Sequence, residues 1–281
     1  VDNGSHRADS TLSLRRISEA LSARIEAKVH PVSLLHSTKV DPSELGGVPA
    51  QILEPFLRER RKKDEHSFLV IPFFFGHSAA IYEYLPQRVL EMRESWPELE
   101  VRVAPSMVKL NEPSDCRVAG ILGELVTSKI EEKGLHRPAV TLVDHGTPRI
   151  AVNQVRNHVA SQLAEVLGDR VTVVEASSME RREGKEYDFN EPLLENLLGT
   201  PGFAREVILS MLFISPGRHA GPGGDIARIR EEAEARFPGL ETFASDLFAT
   251  HPGVVELLAE RYGEGLKEDP VRSEIPAPGM E

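Results

Sequence analysis

The chain has 281 residues, 40% hydrophobic and 27% charged, with a formal net charge of −11. That balance is ordinary for one large or two medium globular domains, and the negative sign excludes non-specific nucleic-acid binding, which needs clustered Lys and Arg against phosphate. Cys116 is the one cysteine, which excludes an internal disulfide and a multi-cysteine metal site.

No apolar run approaches a membrane span, and the opening residues lack the apolar core of a signal peptide, so no membrane partner and a cytoplasmic location are expected. Residues 1–10 are polar and read as a tail. From Ser10, "STLSLRRISEALSARIEAKV" sets Leu12, Leu14, Ile17, Leu21 and Ile25 near a 3.6-residue period, which predicts a helix. Short apolar runs then predict strands at 32–37, 67–75, 100–108, 139–145, 171–177, 207–215 and 242–249. Amphipathic stretches at 79–95, 114–133, 149–167, 190–198, 223–236 and 253–263 predict the helices between them.

Strands alternating with helices argue for an α/β fold with mainly parallel sheets covered on both faces. The near-continuous apolar run "VILSMLFIS" suits a strand buried on both sides. After Gly263 the chain is rich in Pro and charge, and a flexible tail is expected over 264–281.

The sequence also repeats. "VSLLHST" matches "VTLVDHGT", setting His36 against His145; "FLVIPFFFGHSAAI" matches "LSMLFISPGRHAGPGGDI", setting Gly76 against Gly217; "VRVAPSMVKLNEP" matches "ETFASDLFATHP". Between the first match and the second the offset grows by about 30 residues, the length of one βα unit. The expected organisation is therefore a tail and helix over 1–29, an abbreviated first lobe over 30–135 lacking that unit, a second lobe over 136–263, and the tail.

Three side chains of the second lobe fall at predicted strand ends: His145, Glu180 and His219. Carboxyl ends of parallel strands share one edge, where ligands bind. Two imidazoles and a carboxylate converging there suit a divalent transition metal. Taken singly, His145 can serve a turn, Glu180 can be a solvated loop carboxylate, and His219 can bond backbone in its glycine-rich loop. The segment "GRHAGPGGDIARI" fits neither phosphate-loop pattern, and Asp225 reads as a first-turn helix acid. No nucleophile elbow is present, so hydrolase readings lack support.

These motifs resemble those of the class II chelatases, the sirohydrochlorin cobaltochelatase and ferrochelatase group. The resemblance rests on "DHGT" (144–147), "ASSME" (176–180), "PGRHAGPGGDI" (216–226) and the His-Pro of "THPGVVELL". It implies a lyase of cobalamin or sirohaem biosynthesis that inserts a divalent metal substrate, Co²⁺ ahead of Fe²⁺ or Ni²⁺, into a tetrapyrrole held between two lobes. His145, His219 and Glu180 would be metal-binding and catalytic. Arg149, Arg181, Arg182 and Arg218 would meet substrate carboxylates, and Gly217 and Gly221 would let a flat ligand approach the backbone. No nucleotide or redox cofactor is implied, and two lobes in one chain favour a monomer.

The first lobe departs from the pattern. His36 lacks the following glycine, "FFFGHSAAI" sets Ser78 rather than His77 against His219, and Glu180 has no counterpart. One active centre in the second lobe follows, with His36 and His77 as further candidates for metal or substrate contact. The alternative is a non-catalytic metal- or tetrapyrrole-binding carrier.

Overall fold

The computed structural model describes residues 1–76 and 78–272. The elements run α1 (Ala8–Ile25), β1 (Val32–Ser33), β2 (Gln51–Ile52), α2 (Leu53–Arg61), β3 (Ser67–Val70), α3 (Leu85–Ser95), β4 (Glu100–Val103) and α4 (Arg117–Lys133). There follow β5 (Ala139–Asp144), α5 (Ile150–Leu167), β6 (Val174–Ser178), α6 (Leu194–Leu197), β7 (Glu206–Met211), α7 (Asp225–Arg236), β8 (Glu241–Ala244) and α8 (Gly253–Gly265). They form two units, one comprising Val1–Glu112 with the chain from Pro252 on, the other Pro113–His251.

In the second unit four parallel strands lie in the order β6-β5-β7-β8. Every residue of β5 and five of the six in β7 are buried. Both strands read as unbroken apolar runs because helices cover both faces. Helices α4 and α5 pack together on one face; on the other, Leu194, Leu197, Ile226 and Ala233 of α6 and α7 meet Ala139, Val143, Val207 and Leu209.

The first unit carries the same plan with shorter strands. Helix α1 matches α5, each of 18 residues, and β1 pairs with β2, β3 with β4, all parallel. Residues 1–3 are not a tail. Asp2 forms a parallel bridge with Ser33, Leu34 and Leu35 donate to the carbonyls of Asp2 and Asn3, and Phe73 donates to the Val1 carbonyl. Each contact has a twin in the second unit: Met179 to Asp144, Glu180 to His145, and Leu212 to Val143. Val1–Asn3 is thus the counterpart of Val143–His145, lying between β1 and β3 as β5 lies between β6 and β7.

This corrects the repeat register. The partner of His145 is Asn3, and that of Glu180 is Leu35. No βα unit is missing, because "VDNGS" at the start is the twin of "VDHGT". The first unit is abbreviated in its strands, not in its count of elements. The polar look of the first ten residues hid a strand end only three residues long.

Other differences have local causes. Helix α2 was not expected, since Pro55 and the run "RERRKK" mask it, yet Leu53, Phe56 and Leu57 bury one face at helical spacing. The predicted helix at 190–198 shrinks to α6, preceded by a 3₁₀ turn over Lys185–Asn190. Helix α4 packs in the second unit and α8 in the first, where it meets α1 and β3, so the units divide at 112/113 and 251/252 rather than at 135/136. Residues 266–272 are packed: Val271 is buried, its N–H donates to the Val101 carbonyl and its own carbonyl accepts from Arg93 Nη1. The rest of the expected tail, 273–281, lies outside the described residues.

A buried polar network ties the second unit's strand ends together. Arg156, 2% exposed on α5, donates through Nη1 to Ser178 Oγ (2.6 Å) and the Asn190 carbonyl (2.8 Å), and through Nη2 to the Phe189 carbonyl (3.3 Å). Ser178 Oγ in turn donates to Asp144 Oδ1 at 2.6 Å. The seventh residue of α1, the position matching Arg156, is Leu14. Arg156→Leu therefore imports the first unit's solution while stranding buried acceptors. A loss of about 2–4 kcal/mol is expected, read from the urea midpoint of the full chain; a change below about 0.5 kcal/mol would contradict the network's role.

Candidate metal-transfer site

The carboxyl ends of β5 and β6 are brought together by a residue without a side chain. Gly146 has φ +90°, and a Cβ there would sit 1.8 Å from the Glu180 carbonyl oxygen. Only glycine permits that approach. His145 and Glu180, one on each strand end, are thereby neighbours: His145 Nε2 lies 3.4 Å from Glu180 Oε1. The loop is held from behind by Asn190, fully buried, which accepts from Thr147 N–H (3.0 Å) and donates to the Thr147 carbonyl (2.9 Å).

The third strand end supplies His219. Its ring centroid is 4.5 Å from that of His145, the planes crossing at 70°. The glycine-rich turn folds back on the start of α7, where Ile226 N–H bonds the His219 carbonyl and Asp225 Oδ2 accepts from His219 Nδ1 at 2.7 Å. His145 thus neighbours both Glu180 and His219 on the sheet edge, with side chains 46%, 61% and 30% exposed for His145, Glu180 and His219.

The second ring nitrogens set the chemistry. His219 Nδ1–H donates to a carboxylate, and His145 Nδ1–H donates to the Gly146 carbonyl at 3.1 Å. These acceptors assign the tautomer that leaves both Nε2 atoms as electron-pair donors. The bond from His219 also holds the Asp225 carboxyl below the usual carboxylate range, with the nearby Arg228 and Arg218 adding to the effect. At 3.4 Å, the His145–Glu180 contact is too long for a strong hydrogen bond. An imidazole lone pair and a carboxylate oxygen face the same space, and a cation relieves that opposition. As it stands, no group of three His, Cys, Asp or Glu among the described residues closes around an ion. The arrangement is open, two imidazoles with a carboxylate alongside.

Asp144, beneath the site, is 9% exposed, and burial pushes its carboxyl pKa up against the opposing bonds from Ser178 and the Gly146 N–H.

The expected substrate arginines separate into two kinds. Arg181 is engaged in its own loop, 2.8 Å from Glu191 and 3.1 Å from Asp188. Arg182 stands over the Tyr187 ring, Arg218 is 80% exposed and 3.9 Å from Asp225, and Arg149 lies at the N-cap of α5. Gly217 has open space where a side chain would point, whereas a Cβ on Gly221 would meet the Gly217 carbonyl at 2.9 Å. His251 is paired with Glu124 at 3.1 Å in the same unit. In the first unit His36 stacks on His6, centroids 5.4 Å apart; His77 lies outside the described residues.

Sequence reasoning missed Asp225, Asn190 and Arg156 as supports of the site. The spacing of Asp225 six residues after His219, across a glycine turn, was the available signal. Nothing in the sequence marks the other two.

Residues 139–265, which carry all three site residues, match the CbiX family model. Solved structures share the fold over nearly the whole chain. SirB from Bacillus subtilis with Fe³⁺ aligns with a TM-score of 0.65 at 14% identity, covering 95% of this chain and 96% of that one. The sirohydrochlorin chelatase SirB of Bacillus subtilis subspecies spizizenii in complex with cobalt gives 0.61 at 14%, covering 94% and 92%. CbiX, described as the terminal enzyme for biosynthesis of siroheme in denitrifying bacteria, gives 0.56 at 14%, covering 91% and 92%. No curated protein sequence matches the chain.

The Asp225–His219 bond leads to a direct test. Asp225→Ala frees the His219 ring to rotate and removes the acceptor that sets its tautomer, so Co²⁺ affinity should fall about 10–100-fold, followed by visible d–d absorption on titration. Unchanged affinity would mean that Asp225 does no more than start α7.

Proposed function

We propose that this protein inserts a divalent metal ion into sirohydrochlorin or a closely related tetrapyrrole, a reading supported by the match of residues 139–265 to the CbiX family model and by the fold shared with sirohydrochlorin chelatases. The observation that carries the reading is the meeting of His145 Nε2, His219 and Glu180 at one strand-end edge. A metal bound for transfer must be held without being trapped. Two neutral imidazoles and one carboxylate give a borderline donor set with open positions, unlike a closed thiolate cage. Cobalt(II) is the preferred substrate ion, with Fe²⁺ and Ni²⁺ accepted by the same donors.

Insertion also requires two pyrrole N–H protons to leave. Glu180, more than half exposed and outside the hydrogen bonds that hold the histidines, is the group placed to accept them. Arg149, Arg182 and Arg218 follow or precede the three site residues closely in sequence and are the proposed cations that offset the chain's overall negative charge for a carboxylate-rich macrocycle. Arg181 holds the 181–191 loop, which carries Arg182, through Asp188 and Glu191. Gly217 leaves room for a flat ligand. A monomer acting in the cytoplasm is part of the same proposal.

Mixing the protein with sirohydrochlorin and Co²⁺ should change the macrocycle's visible spectrum faster than the uncatalysed reaction, with turnover beyond one equivalent. His145→Ala/His219→Ala should return the rate to background. Glu180→Gln, which removes both the proton acceptor and the charged donor, should lower kcat about 100-fold and weaken Co²⁺ binding as well. Binding that stops at one equivalent would instead identify a carrier, the reading that the replaced first-unit residues Asn3 and Leu35 would then favour.

A further inference from the structure

His6 and His36 of the first unit lie far apart in sequence and side by side in the fold. Both are exposed, and their ring centroids are 5.4 Å apart with 30° between the planes. Two devices bring their backbones together. Gly4, at φ +88°, lets the turn after Asn3 run against Leu35, where a Cβ would sit 1.7 Å from the carbonyl oxygen. Ser37, 1% exposed, accepts from the Ser5 N–H at 3.2 Å and donates to Ser33 Oγ at 2.8 Å. The residues next to each histidine are thus bonded to one another.

His36 is held in a strained conformation. Its φ is +65° and its ψ −38°, and across it the Ser37 N–H bonds the Leu35 carbonyl at 2.8 Å. This is the γ-turn of positive φ, rare and strained for a residue with a side chain. Glycine would relieve it, and no hydrogen bond of the turn uses the imidazole. His66, His145, His219 and His251 each bond a neighbouring group through a ring nitrogen. Among the described residues, no hydrogen bond or ion pair engages the ring of His6 or His36. Two imidazolium rings this close would repel, so the pair packs as neutral rings, each keeping an electron pair on one nitrogen. Around one ion at about 2 Å from each nitrogen, two imidazole centroids stand on the order of 4.5–6 Å apart, and this pair falls within that range.

We infer that His6 and His36 form a further cation site, which takes one borderline divalent ion such as Ni²⁺, Co²⁺ or Zn²⁺ with water in its remaining positions. Its donors are both neutral, since Leu35 stands where Glu180 does in the second unit. Among the described residues no carboxylate orients either ring as Asp225 orients His219. The ion is therefore held more weakly than by an oriented pair and exchanges readily. Mg²⁺ and Ca²⁺, which require oxygen ligands, are excluded.

The test uses the full chain carrying His145→Ala and His219→Ala, which removes the second-unit histidines and makes the result independent of the chelatase proposal. Titrated with Ni²⁺, this variant should bind one ion, and the paramagnetic ion should broaden the ring-proton NMR signals of His6 and His36 before those of the other histidines. Adding His6→Ala should weaken binding at least about tenfold. His36→Gly should weaken it as much while raising Tm by about 2–4 °C, because the γ-turn is relieved. Binding lost from a more stable chain cannot be ascribed to unfolding. Ni²⁺ affinity unchanged by either substitution, or broadening spread evenly over all histidines, would overturn the inference. Sulfate bound in place of Ni²⁺ would overturn it too, by showing protonated rings that hold an anion.

Discussion

Two parallel strands must end at the same level, side by side, for this site to exist, and one missing side chain permits it. Gly146 passes beneath the Glu180 carbonyl at a distance no Cβ could occupy. The turn after β5 and the turn after β6 are thereby fused into one surface. His145 and Glu180 are neighbours for this reason, and the imidazole of His219 joins them from the adjoining strand β7. The fused turns rest on a buried polar layer in which Arg156, Ser178, Asp144 and Asn190 satisfy one another. A half-satisfied layer of this kind would be worse than an apolar one, which makes its completeness part of the architecture.

The same geometry recurs in the first unit with different chemistry. Gly4 passes beneath the Leu35 carbonyl as Gly146 does beneath that of Glu180. Yet Asn3 and Leu35 stand where His145 and Glu180 stand, and Leu14 stands where Arg156 does. The two units share the turn geometry and differ in the side chains at the strand ends. A turn that two strands must share constrains its glycine whatever the neighbouring side chains do.

Much of this was legible in the sequence, for a physical reason. Strands β5 and β7 are buried on both faces, so their residues form apolar runs that stand out at once, and residues following such runs necessarily sit on the sheet's ligand-binding edge. His145 and His219 stand out in that way after β5 and β7, while Glu180 follows the partly exposed β6. The strand-end role of Val1–Asn3 was not legible, because so few residues carry too little pattern to show a period. Its loss shifted the repeat by one βα unit and paired His145 with the wrong residue. Helix α2 hid behind its charges, since Leu53, Phe56 and Leu57 are few against the five basic side chains from Arg58 to Lys63. Asp225 looked like a helix-start acid and does begin α7, but the glycine turn folds its carboxylate onto His219. That contact is a property of the folded loop, not of spacing.

The account turns on both histidines and the carboxylate reaching one ion. X-ray absorption at the cobalt edge on the Co²⁺-loaded protein measures this most directly. Two imidazole nitrogens at about 2 Å, with light oxygen donors completing the shell, are predicted, and the imidazole signal should fall by half in His219→Ala. A shell made of oxygen alone, or one unchanged by that substitution, would contradict the account.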